Sequence, residues 1–201
     1  MVKKADVAGR IIAGALELAA EGLWRRASLS DIAGRAGVTL AQLQETFPGK
    51  TAIIEAFLDR IDHEVLGGTG IDTSSEPRDR LFDVLMRRFD ALAPYKTVLP
   101  SLLSGAACNP CAALVLGPRF LKSMAWMLEA AGISSAGLKG LARVKGLAFV
   151  YMNTARVWLK DDSEDASKTM AALDKGLKRA ERLAGLCNRL GPGQAPEESP
   201  A

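Results

Sequence analysis

Few residues of this chain have the types and the spacing that catalysis or metal binding requires. Cys108 and Cys111 have the CxxC spacing of redox sites, but no second cysteine pair and no flanking tryptophan accompanies them. His63 is the single histidine, and it lacks a partner set of Cys, His or carboxylate residues at ligand spacing. The acidic run 161–165 lacks the glycine and the terminal glutamate of an EF-hand. We therefore predict a protein that is not an enzyme, with no catalytic residue, no metal and no cofactor.

Base recognition is a second kind of chemistry, and one short segment has residues of the required types. Thr39, Gln42 and Gln44 carry hydroxyl and amide groups that can read base edges, since glutamine pairs well with adenine. Arg25 and Arg26 lie upstream and are candidates for phosphate contacts, although a plain solvated pair is an equal alternative.

The segment 28–57 predicts the elements that would position these residues. Ser28 is a good N-cap, and Asp31 three residues later completes a variant of the capping box. Gly37 falls where this helix must end, because glycine adopts the left-handed conformation at least steric cost. Thr39 then caps a second helix, and a Pro-Gly pair ends that helix before a third, longer one. This is the helix-turn-helix pattern, whose second helix lies in the major groove of DNA.

The segment resembles the N-terminal DNA-binding domain of the TetR family of bacterial regulators, over roughly the first third of the chain. The matching residues are Arg10-Ile11-Ile12, Ala15-Leu16-Glu17-Leu18, Gly22, Ser28-Leu29, Asp31-Ile32-Ala33, Ala36-Gly37-Val38-Thr39, Leu43, Phe47-Pro48, Lys50 and Ile53-Ile54. The resemblance implies a three-helix head that binds double-stranded operator DNA. The predicted DNA-binding residues are Arg25, Arg26, Ser28, Thr39, Leu40, Gln42, Gln44, Thr46 and Lys50.

Several residues of the second helix differ from the family pattern. The family usually has a small polar or basic pair after the cap, where this chain has Leu40-Ala41. It usually has a Tyr where this chain has Gln44, and often a His where this chain has Thr46. Glu45 would lie near phosphates, where a carboxylate opposes the electrostatic attraction that drives non-specific binding. The alternative is therefore a head that keeps the fold and no longer reads DNA.

The composition favours an all-helical protein. Apolar residues make up 48% of the chain, and runs of β-branched residues are absent. The net charge of +3 permits nucleic-acid binding without arguing for it. No stretch approaches the ~18 consecutive apolar residues of a membrane span. The N-terminus lacks the apolar core of a signal peptide, and three cysteines fit a reducing compartment, so we expect a cytoplasmic protein.

These patterns and the resemblance together predict an all-α, TetR-like fold of about nine helices. We expect a helix-turn-helix DNA-binding domain at residues 1–50, called the head. Residues 51–190, called the body, would form a helical ligand-binding and dimerisation domain. Residues 191–201 are rich in proline and glutamate and predict a disordered tail.

Two long helices of the body are rich in methionine and aromatic residues. This composition suits a pocket for an apolar small molecule or lipid, because methionine adapts to irregular space. Ordinary core packing is an equal alternative. The predicted pocket residues are Phe89, Phe120, Met124, Trp126, Met127, Phe149, Met152 and Trp158.

The last predicted helix has an apolar stripe that includes Met170, Leu173 and Leu177, with basic residues around the rest of its surface. Together with the long helix before it, this stripe predicts a homodimer interface. Peripheral contact with an anionic membrane surface is the alternative.

The second half of the chain is similar to bacterial relatives of a coenzyme-Q biosynthesis protein. The similarity lies in the segments 78–92, 123–133 and 157–181, and in the pattern Trp158, Asp161, Ser163, Asp165, Met170, Leu173-Asp174. That family keeps a TetR-like fold but binds lipid and associates with membranes instead of regulating genes.

The two resemblances leave two functions open. The first is a TetR-type transcriptional regulator that binds a pseudo-palindromic operator as a dimer and is controlled by an apolar small ligand. The alternative is a lipid-binding accessory protein of coenzyme Q biosynthesis, specific for an isoprenoid or quinone, that has lost DNA binding.

Overall fold

The computed structural model describes the backbone of residues 4–68, 74–107 and 110–190. It describes the side chains of residues 6–68, 74–103 and 116–183. The predicted tail 191–201 and the side chains of Cys108 and Cys111 lie outside these residues.

The described part of the chain contains nine α-helices, one short 3₁₀-helix at Ala93–Tyr95, and no strand. The helices are α1 (Lys4–Ala20), α2 (Leu29–Ala36), α3 (Leu40–Thr46), α4 (Lys50–Leu66), α5 (Pro77–Leu92), α6 (Leu99–Ala107), α7 (Pro110–Ala130), α8 (Gly137–Trp158) and α9 (Ser167–Leu190). The prediction of an all-α fold of about nine helices is confirmed.

The chain divides into two compact units, Met1–Ala148 and Phe149–Ala201. This division does not test the predicted boundary between head and body at residue 50, which stays a prediction. Both the head and helices α4 to α7 belong to the first unit.

In the first unit, the apolar faces of α1, α2 and α3 meet around a small core. Ile11, Ile32 and Leu43, one from each helix, are fully buried. Trp24, which lies between α1 and α2, is also buried. Helix α4 packs against α1 and also against α5 and α7, and α1 itself packs against α6, so the head meets the rest of the unit through both α4 and α6.

In the second unit, the end of α8 and the start of α9 meet through an acidic turn. Asp161 in this turn is buried, and its carboxylate accepts hydrogen bonds from the hydroxyl and backbone N–H groups of Ser163 and Thr169. Gly176 on α9 faces Val150 on α8, where an added Cβ would lie 2.7 Å from a Val150 methyl group. The turn and the glycine therefore hold the two helices close together.

The structure corrects two expectations from the sequence. The charged residues of α5 suggest a solvated face, but Arg88 among them is only 4% exposed. Apolar residues all around α7 suggest a helix buried on every side, yet Trp126 is 50% exposed. In the described parts of the chain, none of the helices has the length and apolar character needed to cross a membrane.

Candidate nucleic-acid interface

Helix α2 begins with the capping box that the sequence predicts. The Ser28 hydroxyl accepts a hydrogen bond from the backbone N–H of Asp31 at 3.1 Å, and the Asp31 carboxylate accepts from the backbone N–H of Ser28 at 2.7 Å. These reciprocal bonds satisfy two backbone donors that a helix start leaves unpaired. Hydrogen bonds from the backbone N–H and the hydroxyl of Ser28 hold the pKa of the Asp31 carboxyl below its usual value.

Helix α2 ends at Gly37, which has the left-handed conformation with φ of 61°. Arg10 on α1 clamps this turn, because its guanidinium group donates to the carbonyl oxygens of Ala36 and Gly37. A Cβ at position 37 would lie 2.8 Å from the Arg10 guanidinium. The turn therefore needs glycine for its backbone conformation, and a Cβ there would also displace the Arg10 guanidinium.

Helix α3 begins with a second capping box. The Thr39 hydroxyl accepts from the backbone N–H of Gln42 at 3.1 Å, and the Gln42 amide oxygen accepts from the backbone N–H of Thr39 at 2.9 Å. The amide oxygen of Gln42 is therefore in use within the protein, while its NH₂ group remains available as a donor.

The nine predicted DNA-binding residues fall into two groups. The side chains of the first group make no hydrogen bond or ion pair with any described residue, and its members are Arg25, Arg26, Leu40 and Gln44. All four are exposed. The second group is engaged within the protein, and its members are Ser28, Thr39, Gln42, Thr46 and Lys50.

Lys50 has partners that the sequence did not suggest. Its ammonium group donates to the carbonyl oxygens of Trp24 and Ala27, the latter at 2.9 Å, and lies 4.3 Å from the centroid of the Trp24 ring. Partial burial lowers the pKa of the Lys50 ammonium group. Its predicted phosphate contact stays a prediction, and the structure gives Lys50 a role in fastening α4 to the segment before α2.

Another basic residue of the head is neutralised. Arg35 on α2 donates to both carboxylate oxygens of Glu21 at 2.6 and 2.9 Å, and Glu17 lies at 3.5 Å from the same guanidinium. The Arg35 hydrogen bonds lower the pKa of the Glu21 carboxyl. Arg25 and Arg26, in contrast, form no ion pair with a carboxylate of the described residues. Their positive charge beside α2 is therefore not neutralised within the described parts of the chain.

The predicted pocket residues do not share one environment. In the first unit, Phe89, Met124 and Met127 are buried, Phe120 is half-buried and Trp126 is exposed. In the second unit, Trp158 is buried while Phe149 and Met152 are exposed. An open groove of about 460 Å³ lies on the head between α1 and α2, and none of these eight residues lines it. The apolar pocket stays a prediction.

A buried ionic cluster joins α4 to α5 and α7, and sequence reasoning missed it. The Asp62 carboxylate accepts from Arg88 at 3.2 Å, from Arg119 at 2.9 Å and from the Ser123 hydroxyl at 2.9 Å. Arg119 also pairs with Asp59, which is largely exposed. Helical spacing places Arg88 on the buried face of α5, three residues after Leu85 and four after Val84, but only the three-dimensional contacts identify its partners.

The comparisons with known proteins agree with this architecture. No family model and no curated protein matches the chain. Among solved structures, a TetR transcriptional regulator from Nitrosomonas europaea has a TM-score of 0.71 at 25% identity, over 87% of this chain and 98% of that one. A TetR transcriptional regulator from Rhodococcus sp. RHA1 has a TM-score of 0.64 at 22% identity, over 88% of this chain and 96% of that one.

A further transcriptional regulator from the same Rhodococcus strain has a TM-score of 0.56 at 19% identity, over 87% of this chain and 96% of that one. All three neighbours are transcriptional regulators. The similarity of the segments 78–92, 123–133 and 157–181 to coenzyme-Q proteins stays a prediction. The chain has the fold of the TetR-family transcriptional regulators.

Proposed function

We propose that this protein is a transcriptional regulator that binds a pseudo-palindromic operator as a homodimer and responds to an apolar ligand. The observation that carries the proposal is the capped helix-turn-helix, with the side chains of Leu40 and Gln44 exposed on α3 and that of Gln44 hydrogen-bonded to no other described residue. In a helix-turn-helix, the N-terminal residues of the second helix contact base edges in the major groove. The similarity of the whole fold to a TetR transcriptional regulator from Nitrosomonas europaea supports the same function.

One group of residues would contact base edges of the DNA, and a second group would contact its phosphates. Gln44 offers a donor and an acceptor to a base edge, and Gln42 offers the donors of its NH₂ group. Arg25 and Arg26 would neutralise phosphates, because both are exposed and neither pairs with a carboxylate of the described residues. Ser28 and Thr39 support this surface by capping the two helices that present it.

The homodimer would form through α8 and α9. Phe149 and Met152 are both exposed, and their spacing of three residues places them on one face of α8, while Leu159, which is also exposed, follows directly after the end of the helix. The other face of the helix buries Tyr151 and Trp158. A second copy of the chain would cover the exposed apolar face, and the two-fold symmetry of the dimer would demand a pseudo-palindromic operator.

Ligand control would use the buried cluster of Asp62, Arg88, Arg119 and Ser123. Met124 and Met127 are buried on α7, which also carries Arg119 and Ser123. A ligand that displaces α7 would therefore act on Asp62 and on α4, the helix that begins beside Trp24 of the head. The ligand would shift the equilibrium between head positions only by its differential affinity for them.

The lipid-binding alternative remains a second candidate for one reason. Glu45 is exposed on α3 and has no partner among the described residues, so it would bring a carboxylate toward the phosphates of DNA. Extraction of the purified protein tests this alternative. An isoprenoid or acyl lipid that co-purifies in stoichiometric amount supports it, and solvent extracts without such a lipid count against it.

A mobility-shift titration tests the regulator function. The full chain is titrated against the DNA upstream of its own gene at low salt, beside a duplex of the same composition in scrambled order. Retardation of the upstream duplex at lower protein concentration supports the proposal, and this preference must weaken in a Gln44→Ala variant. Equal affinity for both duplexes, or no retardation at low salt, contradicts it.

A further inference from the structure

The first turn of α3 presents an apolar surface to solvent. Leu40 is 50% exposed and Ala41 beside it is also exposed, whereas Leu43, three residues after Leu40, is fully buried. A single exposed leucine on a protein surface is ordinary. These two residues are informative because they form the turn that a helix-turn-helix places against base edges.

The neighbouring polar side chains restrict what this turn can read. The amide oxygen of Gln42 is held by the backbone N–H of Thr39, so Gln42 can offer only donors. The side chain of Gln44 makes no hydrogen bond with any other described residue, so both its amide donor and its amide acceptor are available. Gln44 follows Leu40 by one helical turn, about 6 Å along the axis, which is close to two base-pair steps of about 3.4 Å.

The major groove offers one base edge that suits Leu40 and Ala41. Thymine presents a C5 methyl group, and apolar side chains contact that group directly. Opposite guanine or cytosine, the same side chains would cover the O6 acceptor or the N4 donor without replacing its hydrogen bond to water, which is costly. Glutamine, in turn, matches the N6 donor and the N7 acceptor of adenine.

We propose that Leu40 and Ala41 select thymine methyl groups in the operator, and that Gln44 selects an adenine about two base-pair steps further along the groove. Each half-site would therefore carry A·T pairs at both places beneath α3. This inference rests on the proposed DNA-binding function and adds the base composition that the protein recognises.

The test begins with selection of duplexes from a random pool by the full chain, followed by chemical substitution within the selected site. Each thymine of one half-site is replaced in turn by deoxyuridine, which pairs as thymine does and lacks only the C5 methyl group. Loss of a methyl group beneath Leu40 or Ala41 should weaken binding roughly fourfold, the effect expected for one buried methyl-sized group. Deoxyuridine elsewhere in the duplex serves as the control.

Two variants assign the effect to residues. In Leu40→Ala, the affinities for thymine and for deoxyuridine at the Leu40-dependent position should become nearly equal. In Gln44→Ala, the penalty for deoxyuridine should persist. The penalty for replacing the adenine beneath Gln44 with 7-deazaadenine, which lacks the N7 acceptor, should disappear. Circular dichroism of both variants confirms that the exposed substitutions leave the helices intact.

The outcomes separate this inference from the proposed function. If selection enriches a specific duplex whose affinity is unchanged by deoxyuridine at every thymine, thymine recognition is wrong and the regulator function stands. If the enriched half-sites are G·C pairs beneath α3, the inference is likewise overturned. If no duplex is enriched above the starting pool, the proposed DNA-binding function fails and the inference fails with it.

Discussion

The ammonium group of Lys50 lies over the indole ring of Trp24, 4.3 Å from its centroid, and donates to the carbonyl oxygen of the same residue. The contact joins the first residue of α4 to the segment between α1 and α2. Because Trp24 is buried and Lys50 is partly buried, the cation lies against the core of the head. The orientation of α4 relative to the helix-turn-helix therefore depends on this pair.

Replacement of Lys50 by methionine should destabilise the protein without removing a phosphate contact. The variant loses the cation–π contact and two charge-assisted hydrogen bonds, so its free energy of unfolding should fall by about 2 kcal/mol. Urea denaturation measures this change. The slope of log affinity for DNA against log salt concentration should equal that of the unmodified protein.

Arg26→Met is the matched control for Lys50→Met. Arg26 is exposed and has no ion-pair partner among the described residues, so its removal should leave stability unchanged and reduce the salt slope of the dimer by about 1.8, or about 0.9 for each chain. A comparable drop in salt slope in Lys50→Met, with stability unchanged, would show that Lys50 binds phosphate as the sequence suggested.

Asp62 and Asp59 offer a matched test of the buried cluster. Both lie on α4 and both pair with Arg119, but Asp62 is buried and the Asp59 side chain is 58% exposed. Asp62→Ala should lower the free energy of unfolding by about 3–5 kcal/mol, because Arg88 and Arg119 lose their shared buried partner. Asp59→Ala should cost less than about 1 kcal/mol. Equal effects in chemical denaturation would refute the structural importance of the cluster.

Phe149→Lys should convert the proposed homodimer into a monomer. The side chain is 72% exposed, so the substitution leaves the fold intact while placing a charge in an apolar interface. Sedimentation equilibrium should give the mass of one chain for the variant and of two chains for the unmodified protein. Trp126→Lys, at an exposed position of α7, is the control and should keep the dimer mass. A monomeric unmodified protein would contradict the interface.

Asp161 should make the turn between α8 and α9 sensitive to acid. The hydroxyl of Ser163, and then that of Thr169, hold the pKa of this carboxyl well below the ordinary value of 3.8. Because the folded-state pKa is the lower one, the stabilisation is fully present above pH 3.8 and is lost as the pH falls toward the folded-state value. The unfolding temperature should therefore drop below about pH 4.

The variant Asp161→Asn isolates this effect. Its unfolding temperature should be lower than that of the unmodified protein at pH 7, and the gap between the two proteins should narrow as the pH falls below 3.8. The neighbouring exposed Asp162→Asn should match the unmodified protein across the range. A gap that stays constant with pH would mean that Asp161 does not act through its charge.

The local features of the head were predictable because their partners are close in sequence. Both capping boxes join residues three positions apart, and the conformation of Gly37 follows from the need to end one helix before the next begins. Residue types at fixed spacing therefore predicted the helix-turn-helix and the bounds of its helices to within a residue or two.

The contacts that were not predictable join residues far apart in the chain. Lys50 and Trp24 are 26 positions apart, as are Arg88 and Asp62. Helical periodicity predicts which face of a helix is apolar, but it does not reveal that a carboxylate on another helix draws one arginine of α5 into the core. The exposure of Trp126 escaped prediction for a similar reason, since the pattern of α7 alone does not show which of its apolar faces finds a neighbour.

A salt series of DNA-binding titrations with the full chain tests the regulator function more directly than any single variant. One duplex is the site enriched by selection, and the other has the same bases in scrambled order. We expect affinity for the selected site at least about a thousandfold higher than for the scrambled one, falling steeply with salt. Equal and weak affinity for both duplexes at every salt concentration would contradict DNA recognition and would favour the lipid-binding alternative.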